Sequence, residues 1–397
     1  MPKLNEKMTH MNFSVIVKIN NKARELKEAG KKIVNFSIGI PNFLPPEHVY
    51  KAAHDAITHD AGTYLPNRGS KELVDAFLFR LKEDGFDYKA EEVCAGIGAK
   101  NILSNLFTVI LDFDDEVIFP APYWSSYIET VEIAYGICKP IPCTAEQNYK
   151  LTPEQLEAAI TPKTKVFLFN NPSNPTGMVY TEAEIKALGD VLEKHDIWII
   201  SDDIYDKMIY DGMKFHHFLH TNPSLKDRTC IVQSISKSYG MPGWRVGMLA
   251  APKNLIDPML GMTANTLMNI PGVCMAAAAA AFGGDQGFVK EQCKNFAKKR
   301  DLVMDTLNSI EGINCPFPNG AFYVFPNIGA FYGKSYKGET ITDDVKFCEL
   351  LLDHKGLAVV PGSAFGDDQA FRISYACPEE SLAEGLQLLS DFFSEVK

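Results

Sequence analysis

KVFLFNNPSNPTGMVYTEAEIKALGDVLEKHDIWIIS, residues 165–201, holds one complete unit of the fold. Residues 165–169 are a short apolar run closed by Asn and Pro breakers, which reads as a strand. Thr181-Glu182-Ala183-Glu184 is a capping box that opens a helix running to His195. Residues 197–201 form a second apolar run. Strand, helix and strand in succession make a crossover, which sets the two strands parallel in one sheet.

The same alternation extends outward. Residues 92–98, 116–119, 136–143, 230–235 and 246–250 read as further strands, and 100–111, 125–134 and 153–160 as helices. The fold class is therefore α/β, with a mostly parallel sheet covered by helices on both faces. The pattern changes after about Leu255. Long helices come next, including 286–309, then separated strands at 321–325, 358–360 and 371–375, and a last helix from Pro378. This part reads as a smaller α+β domain. Pro45-Pro46 breaks the N-terminal segment from the central part of the chain, so that segment is expected to join the C-terminal part. The expected division is 46–285 for the large domain, with 1–45 and 286–397 for the small one.

With 397 residues, 46% of them hydrophobic, the chain is long enough for two domains. A formal net charge of −11 argues against nucleic-acid and membrane partners. No uninterrupted apolar stretch reaches spanning length, and the N-terminus lacks a signal-peptide apolar region. The nine cysteines include no Cys-x-x-Cys pair. They read as reduced core thiols of a cytoplasmic protein.

The chemistry lies at or just beyond the strand ends, where open α/β sheets bind ligands. Lys237 follows the strand 230–235 in Ser234-Ile235-Ser236-Lys237, with Arg245 beyond a Pro-Gly turn. A desolvated lysine is nucleophilic and forms a Schiff base with a carbonyl, while Ser234 and Arg245 suit a phosphate. Gly96-Ile97-Gly98-Ala99-Lys100 runs from strand into helix, a place where backbone N–H groups meet phosphate. Trp124 offers a stacking face, and Asn174 a donor for a ligand oxygen. Asp202 suits a protonated ring nitrogen, with Tyr205 three residues on. Arg372, between apolar neighbours on a late strand, suits a carboxylate. Each has an ordinary reading alone: surface lysine, tight turn, core tryptophan, helix cap, structural ion pair. Together they meet the needs of pyridoxal 5′-phosphate (PLP), which carries an aldehyde, a phosphate and a pyridine ring.

With Asn174-Pro175-Thr176-Gly177, Ser201-Asp202-Asp203-Ile204-Tyr205, Ser236-Lys237 and Gly243-Trp244-Arg245-Val246-Gly247 in this order, the chain resembles the class I aminotransferases of PLP fold type I. The likeness is to the branch containing bacterial aspartate aminotransferases, and it extends from Asn35 to Arg372. It implies a seven-stranded sheet in the large domain and a ping-pong amino transfer. It also implies a residue set. Lys237 would form the Schiff base, Asp202 would face the pyridine nitrogen, and Asn174 and Tyr205 the ring oxygen. Trp124 would cover the ring. Gly98, Ala99, Lys100, Ser234 and Arg245 would surround the phosphate. Arg372 would hold the substrate carboxylate, with the Gly39 backbone nearby. Tyr64 would reach the phosphate of a neighbouring subunit, which implies a homodimer with shared sites. Aspartate with 2-oxoglutarate is the favoured pair. No second arginine stands near 265–270 for a distal carboxylate, so aromatic amino acids, alanine and prephenate stay open. A C–S lyase of the same fold and a PLP-binding regulator are the rivals. The cluster His216-His217-Phe218-Leu219-His220 has no cysteine or second histidine cluster to join it, so no metal is expected.

Overall fold

The structure is a computed structural model that describes residues 2–4, 15–59 and 62–397. Its centre is a seven-stranded sheet of β1 (Val93–Gly96), β2 (Glu116–Ala121), β3 (Ile137–Pro142), β4 (Thr164–Asn170), β5 (Trp198–Asp202), β6 (Thr229–Ser234) and β7 (Gly247–Ala250). The spatial order is β1-β7-β6-β5-β4-β2-β3. Only β7 runs against the rest, pairing antiparallel with β1 and β6. All seven strands lie where the sequence places them, with ends shifted by one or two residues.

Burial on both faces explains their near-continuous apolar character. Val166 and Leu168 pack on one side with Ile102, Leu106 and Ile110 of the helix Gly98–Ile110. Phe167 and Phe169 pack on the other with Ile185, Leu188 and Leu192 of the helix Glu182–Leu192. The edge strand β3 is mostly exposed and carries Pro140 and Pro142. Proline is tolerated at an edge because no neighbour needs its missing N–H. The alanine-rich helix Gly272–Gly283 joins the same side as Glu47–His59 and Lys71–Glu83, with Ala277, Ala278 and Phe282 against Val49, Ala53 and Phe77.

A second layer is built from both chain ends. Strand Val360–Pro361 pairs antiparallel with Phe371–Ser374, which pairs with Tyr323–Val324. Val34–Asn35 runs parallel to Leu357–Ala358. Phe36 is fully buried, and its carbonyl accepts from the Ser374 N–H at 2.8 Å. Helices Gly287–Asn308 and Glu379–Glu395 cover this core with Phe296, Val303, Leu389 and Phe392. Of the nine free cysteines, Cys94, Cys143, Cys230 and Cys348 are buried and the other five are half-buried. No helix among the described residues is long and apolar enough to cross a membrane. No group of three or more His, Cys, Asp or Glu among them can hold a metal ion.

The N-terminal segment meets the last helix closely. A Cβ on Gly385 would run into the Phe36 ring, with Cε2 at 2.6 Å and Cε1 at 2.9 Å. Gly385→Ala is therefore expected to destabilise the protein by about 1–3 kcal/mol through overpacking. Urea unfolding measures this; an unchanged midpoint would show that the contact gives way freely.

Candidate active site

The carboxyl ends of β4, β5 and β6 and the start of β7 share one edge of the sheet. Because β7 runs backwards, its first residue faces the last residues of its neighbours: Gly247 is paired with Ser234 and with Gly96. Arg245, two residues earlier, takes a left-handed turn with φ 57° and swings to this edge. A cavity of about 250 Å³ opens here, lined by Gly39, Ala99, Lys100, Trp124, Asn174, Asp202, Tyr205, Ser234, Lys237, Arg245 and Arg372. Eleven of the thirteen site residues expected from sequence thus meet in one place. Gly98 lies just behind: a Cβ there would be 2.7 Å from Arg245 Nη2, and its φ of +74° also favours glycine. Tyr64 does not line the cavity and is 84% exposed.

Asp202 ends β5 and is 1% exposed. Its Oδ2 accepts from the Tyr127 hydroxyl at 2.5 Å, while its Oδ1 is buried with no partner among the described residues. Burial pushes its pKa up to about 6, opposed by the Tyr127 hydroxyl, the Ile204 N–H and the Lys237 charge. Asn170 closes β4 and joins two neighbours: its Nδ2 donates to Asp202 O at 2.7 Å and its Oδ1 accepts from the Asn174 N–H at 2.8 Å. Tyr205 is buried with its hydroxyl 2.9 Å from that of Tyr323.

Lys237 Nζ donates to Gly39 O at 2.6 Å. Burial, then the charges of Arg372 and Arg245, pull its pKa down to about 8. Arg372 is 2% exposed on Phe371–Ser374. Its Nη1 donates to Asn174 Oδ1 at 2.9 Å and its Nη2 to Ser37 O at 2.8 Å, and Nε is left without a partner among the described residues. The rings of Tyr323 and Phe365 lie 4.6 and 4.7 Å from the guanidinium carbon. At the other end, Ser234 Oγ contacts Ser236 Oγ at 2.8 Å and Val246 O at 3.0 Å, and Arg245 Nη1 donates to Pro242 O at 3.0 Å. The helix Gly98–Ile110 starts here and directs its first N–H groups at the cavity edge where Ala99 lies. Lys100 Nζ turns aside, donating to Ser126 Oγ at 2.9 Å and lying 4.8 Å from the Trp124 ring centre.

The residues present fit the cofactor expected from sequence. The unpartnered Asp202 Oδ1 is an acceptor for a protonated ring nitrogen. The arginine and helix N-terminus at one end suit a phosphate, and the lysine between them is held at a lowered pKa.

Tyr127, Asn170, Tyr323, Ser236 and Ile16 escaped the sequence reading, although all but Tyr127 line the cavity. Tyr127 stands three residues after Trp124 at the start of Ser126–Ile133, one helical turn on, which is the signal available in sequence.

The family profile for class I and II aminotransferases matches residues 31–389. The chain belongs to the class I and II aminotransferases. A probable aspartate/prephenate aminotransferase of Rhizobium leguminosarum bv. phaseoli is 42% identical over 99% of both chains. An aspartate aminotransferase of Rhizobium meliloti is 40% identical over 97% of this chain and 94% of that one. Among solved structures, the aspartate aminotransferase from Rhizobium meliloti superposes with a TM-score of 0.97 at 38% identity, covering all of both chains. That of Thermus thermophilus with maleate gives 0.92 at 32% identity, over 99% of this chain and all of that one. An aminotransferase of fold type I is thus the setting in which these side chains act.

The buried Asp202 carboxylate carries a stability cost. Its folded pKa of about 6 lies above the ~3.9 of an unfolded chain. Below about pH 4 both states are protonated and the cost is absent; it grows through the interval and is complete above about pH 6. Asp202→Asn is therefore expected to stabilise the cofactor-free protein by up to ~3 kcal/mol near pH 7.5. The gain should shrink several-fold at about pH 4.5. Denaturant unfolding at both pH values tests this, and a pH-independent effect would refute it.

Proposed function

We propose that this aminotransferase uses PLP to move the amino group of L-aspartate to 2-oxoglutarate in two half-reactions. The observation that carries the reading is the meeting of Lys237, just beyond β6, Asp202, at the end of β5, and Arg372, on Phe371–Ser374, around one cavity. When bound, PLP supplies a ring that draws negative charge from the substrate α-carbon. The chain's residues do the rest. Arg245, Ser234 and the N–H groups of Gly98, Ala99 and Lys100 hold the phosphate. Asn174 and Tyr205 bind the ring oxygen, and Trp124 covers one ring face. Asp202 holds the proton on the ring nitrogen, where developing charge is collected. Arg372 grips the substrate carboxylate beside the Gly39 backbone. Lys237, with its pKa lowered to about 8, keeps a neutral fraction near pH 7.5 that takes the α-proton and returns it as an acid.

The preference for an acidic side chain rests on a spare cation. Arg245 is assigned to phosphate and Arg372 to the α-carboxylate. Lys100 turns its ammonium toward Trp124 and Ser126 and still lines the cavity. It is free to meet a second carboxylate. Prephenate as acceptor is the second reading, supported by the names of the relatives from Rhizobium leguminosarum and Cereibacter sphaeroides. Prephenate also carries two carboxylates.

We place the large domain at 46–285 and the small domain at 1–45 with 286–397, as the pairing of Val34–Asn35 with Leu357–Ala358 favours. The nine free thiols and the lack of an apolar spanning helix among the described residues favour the cytoplasm.

The exposed face beside the phosphate end favours a homodimer. Tyr64, Leu44 and Ile57 are 84%, 79% and 58% exposed. Tyr50, on Glu47–His59, lies 6.4 Å from the Trp244 ring next to Arg245. A two-fold contact here would bring each Tyr64 to the other subunit's phosphate.

A donor panel tests the function. Wild-type protein given aspartate alone should convert bound PLP to its aminated form, one per site, and 2-oxoglutarate or prephenate should restore it. Lys237→Ala should abolish both steps, and borohydride should fix the cofactor at Lys237 only. Lys100→Ala should raise the KM for aspartate by roughly tenfold, equivalent to one hydrogen bond to a charged group, with little effect on alanine. Aminated cofactor that never accumulates, with pyruvate or ammonia released instead, would indicate an eliminating enzyme.

Mixing subunits tests the dimer. Tyr64→Phe should weaken PLP binding by about 1–2 kcal/mol. A mixed dimer of Tyr64→Phe and Lys237→Ala chains has one site with both wild-type residues, so activity should partly return with near-wild-type PLP affinity. An active half that keeps the Tyr64→Phe defect would rule out the shared site.

A further inference from the structure

Two backbone carbonyls, two residues apart, each meet one of the cavity's cations. Ser37 O accepts from Arg372 Nη2 at 2.8 Å, and Gly39 O from Lys237 Nζ at 2.6 Å. The segment bearing them lies beyond the short strand Val34–Asn35 and has no regular secondary structure of its own. Side chains fix it instead. Asn20, on the helix Val15–Glu28, accepts with Oδ1 from Ser37 Oγ at 2.8 Å and from Asn35 Nδ2 at 3.1 Å. Asn35 Oδ1 accepts in turn from the Ser37 N–H at 2.9 Å and lies 2.7 Å from Ser37 Oγ, so the two amide oxygens share that single hydroxyl proton. Asn20 Nδ2 donates to Ile16 O at 2.9 Å, and Ile16 itself lines the cavity. Ser37 is fully buried. The result is a closed amide–hydroxyl clamp, with polar groups that would be costly to leave unmet. Asn20 does not line the cavity.

We propose that Asn20 is a positioning residue for substrate carboxylate binding. It holds Ser37 so that the Ser37 carbonyl orients the Arg372 guanidinium, and it ties that orientation to the helix bearing Ile16. The proposal rests on Arg372 as the carboxylate site. A guanidinium binds a carboxylate well only when its fork is aimed. Asn174 Oδ1 fixes Nη1 and Ser37 O fixes Nη2, so movement of Ser37 turns the fork. The neighbouring Asn21 provides a control: it is exposed and, among the described residues, accepts only from Arg24 Nη2, at 3.2 Å, on its own helix.

The test measures maleate, a dicarboxylate that does not react, binding to PLP-loaded protein by calorimetry, with thermal unfolding alongside. Asn20→Ala and Ser37→Ala should each weaken maleate by about five- to tenfold, as loss of one well-placed hydrogen bond does. Asn21→Ala should stay within about twofold, as expected for a surface change. The double variant Asn20→Ala/Ser37→Ala should lose no more than the weaker-binding single, since both act through one unit. Wild-type affinity in Asn20→Ala, whatever Ser37→Ala does and with or without a fall in melting temperature, overturns the positioning role, and so does a double loss equal to the product of the singles. If Asn20→Ala yields no folded protein, Ser37→Ala decides by the same threshold. Arg372→Ala separates the two readings. If it binds maleate like wild type, the carboxylate site itself is wrong; if it fails while Asn20→Ala and Ser37→Ala bind normally, only the positioning role falls.

Discussion

A buried guanidinium must find oxygens, and at Arg372 this demand organises the molecule. Removing such a charge from water costs several kcal/mol unless its donors are met. The oxygens come from Asn174, beyond β4, and from Ser37, beyond the first short strand, while Tyr323 and Phe365 close the faces. Residues 37, 174 and 372 lie far apart in sequence, so this one side chain joins the N-terminal segment, the central sheet and the late antiparallel strands. Loss of any partner leaves charge exposed to an apolar interior. The carboxylate end of the cavity is therefore only as well aimed as the packing of all three segments.

The cavity's electrostatics are one-sided. Lys100, Lys237, Arg245 and Arg372 face it, with Asp202 as the single lining carboxylate among the described residues. Burial and mutual repulsion move Lys237 down to about 8, and burial moves Asp202 up to about 6. The two groups are pushed toward neutrality from opposite sides, which brings Lys237 near the pH at which a base is useful. An anionic ligand relieves the excess of positive charge, so stability and function pull against each other here.

What sequence disclosed and what it concealed divide along a physical line. Strand ends, Gly-rich turns and the Asn-Pro loop leave local signals, so Lys237, Asp202, Asn174 and Arg245 were legible in short motifs. The seven strands were legible because burial on both faces leaves continuous apolar runs. Tyr127 on Asp202 spans 75 residues, Tyr323 on Tyr205 spans 118, and Ser37 on Arg372 spans 335. Contacts of that kind are set by tertiary packing; only Tyr127, three residues after Trp124, leaves a local cue, and the other two pairs write no pattern into either partner's neighbourhood. Tyr64 shows a different gap: within a single chain it stands apart from the cavity, whatever its motif implies. The cysteines are a milder case, since thiols at positions such as Cys138 and Cys293 are half-buried and contact carbonyls.

The parallel pairing of Val34–Asn35 with Leu357–Ala358 also bears on synthesis at the ribosome. Residue 34 leaves the tunnel more than three hundred residues before its partner strand exists. At about 5–20 residues per second, that interval is on the order of tens of seconds. The central sheet can assemble during that time from crossover units that close locally. The outer layer cannot, because its strands come from opposite ends of the chain and pay their loop-closure entropy last. Phe36, fully buried in the finished protein, spends that interval without the helix and strands that cover it. The order of synthesis thus leaves the N-terminal strand and Phe36 as the last part of the fold to find their partners.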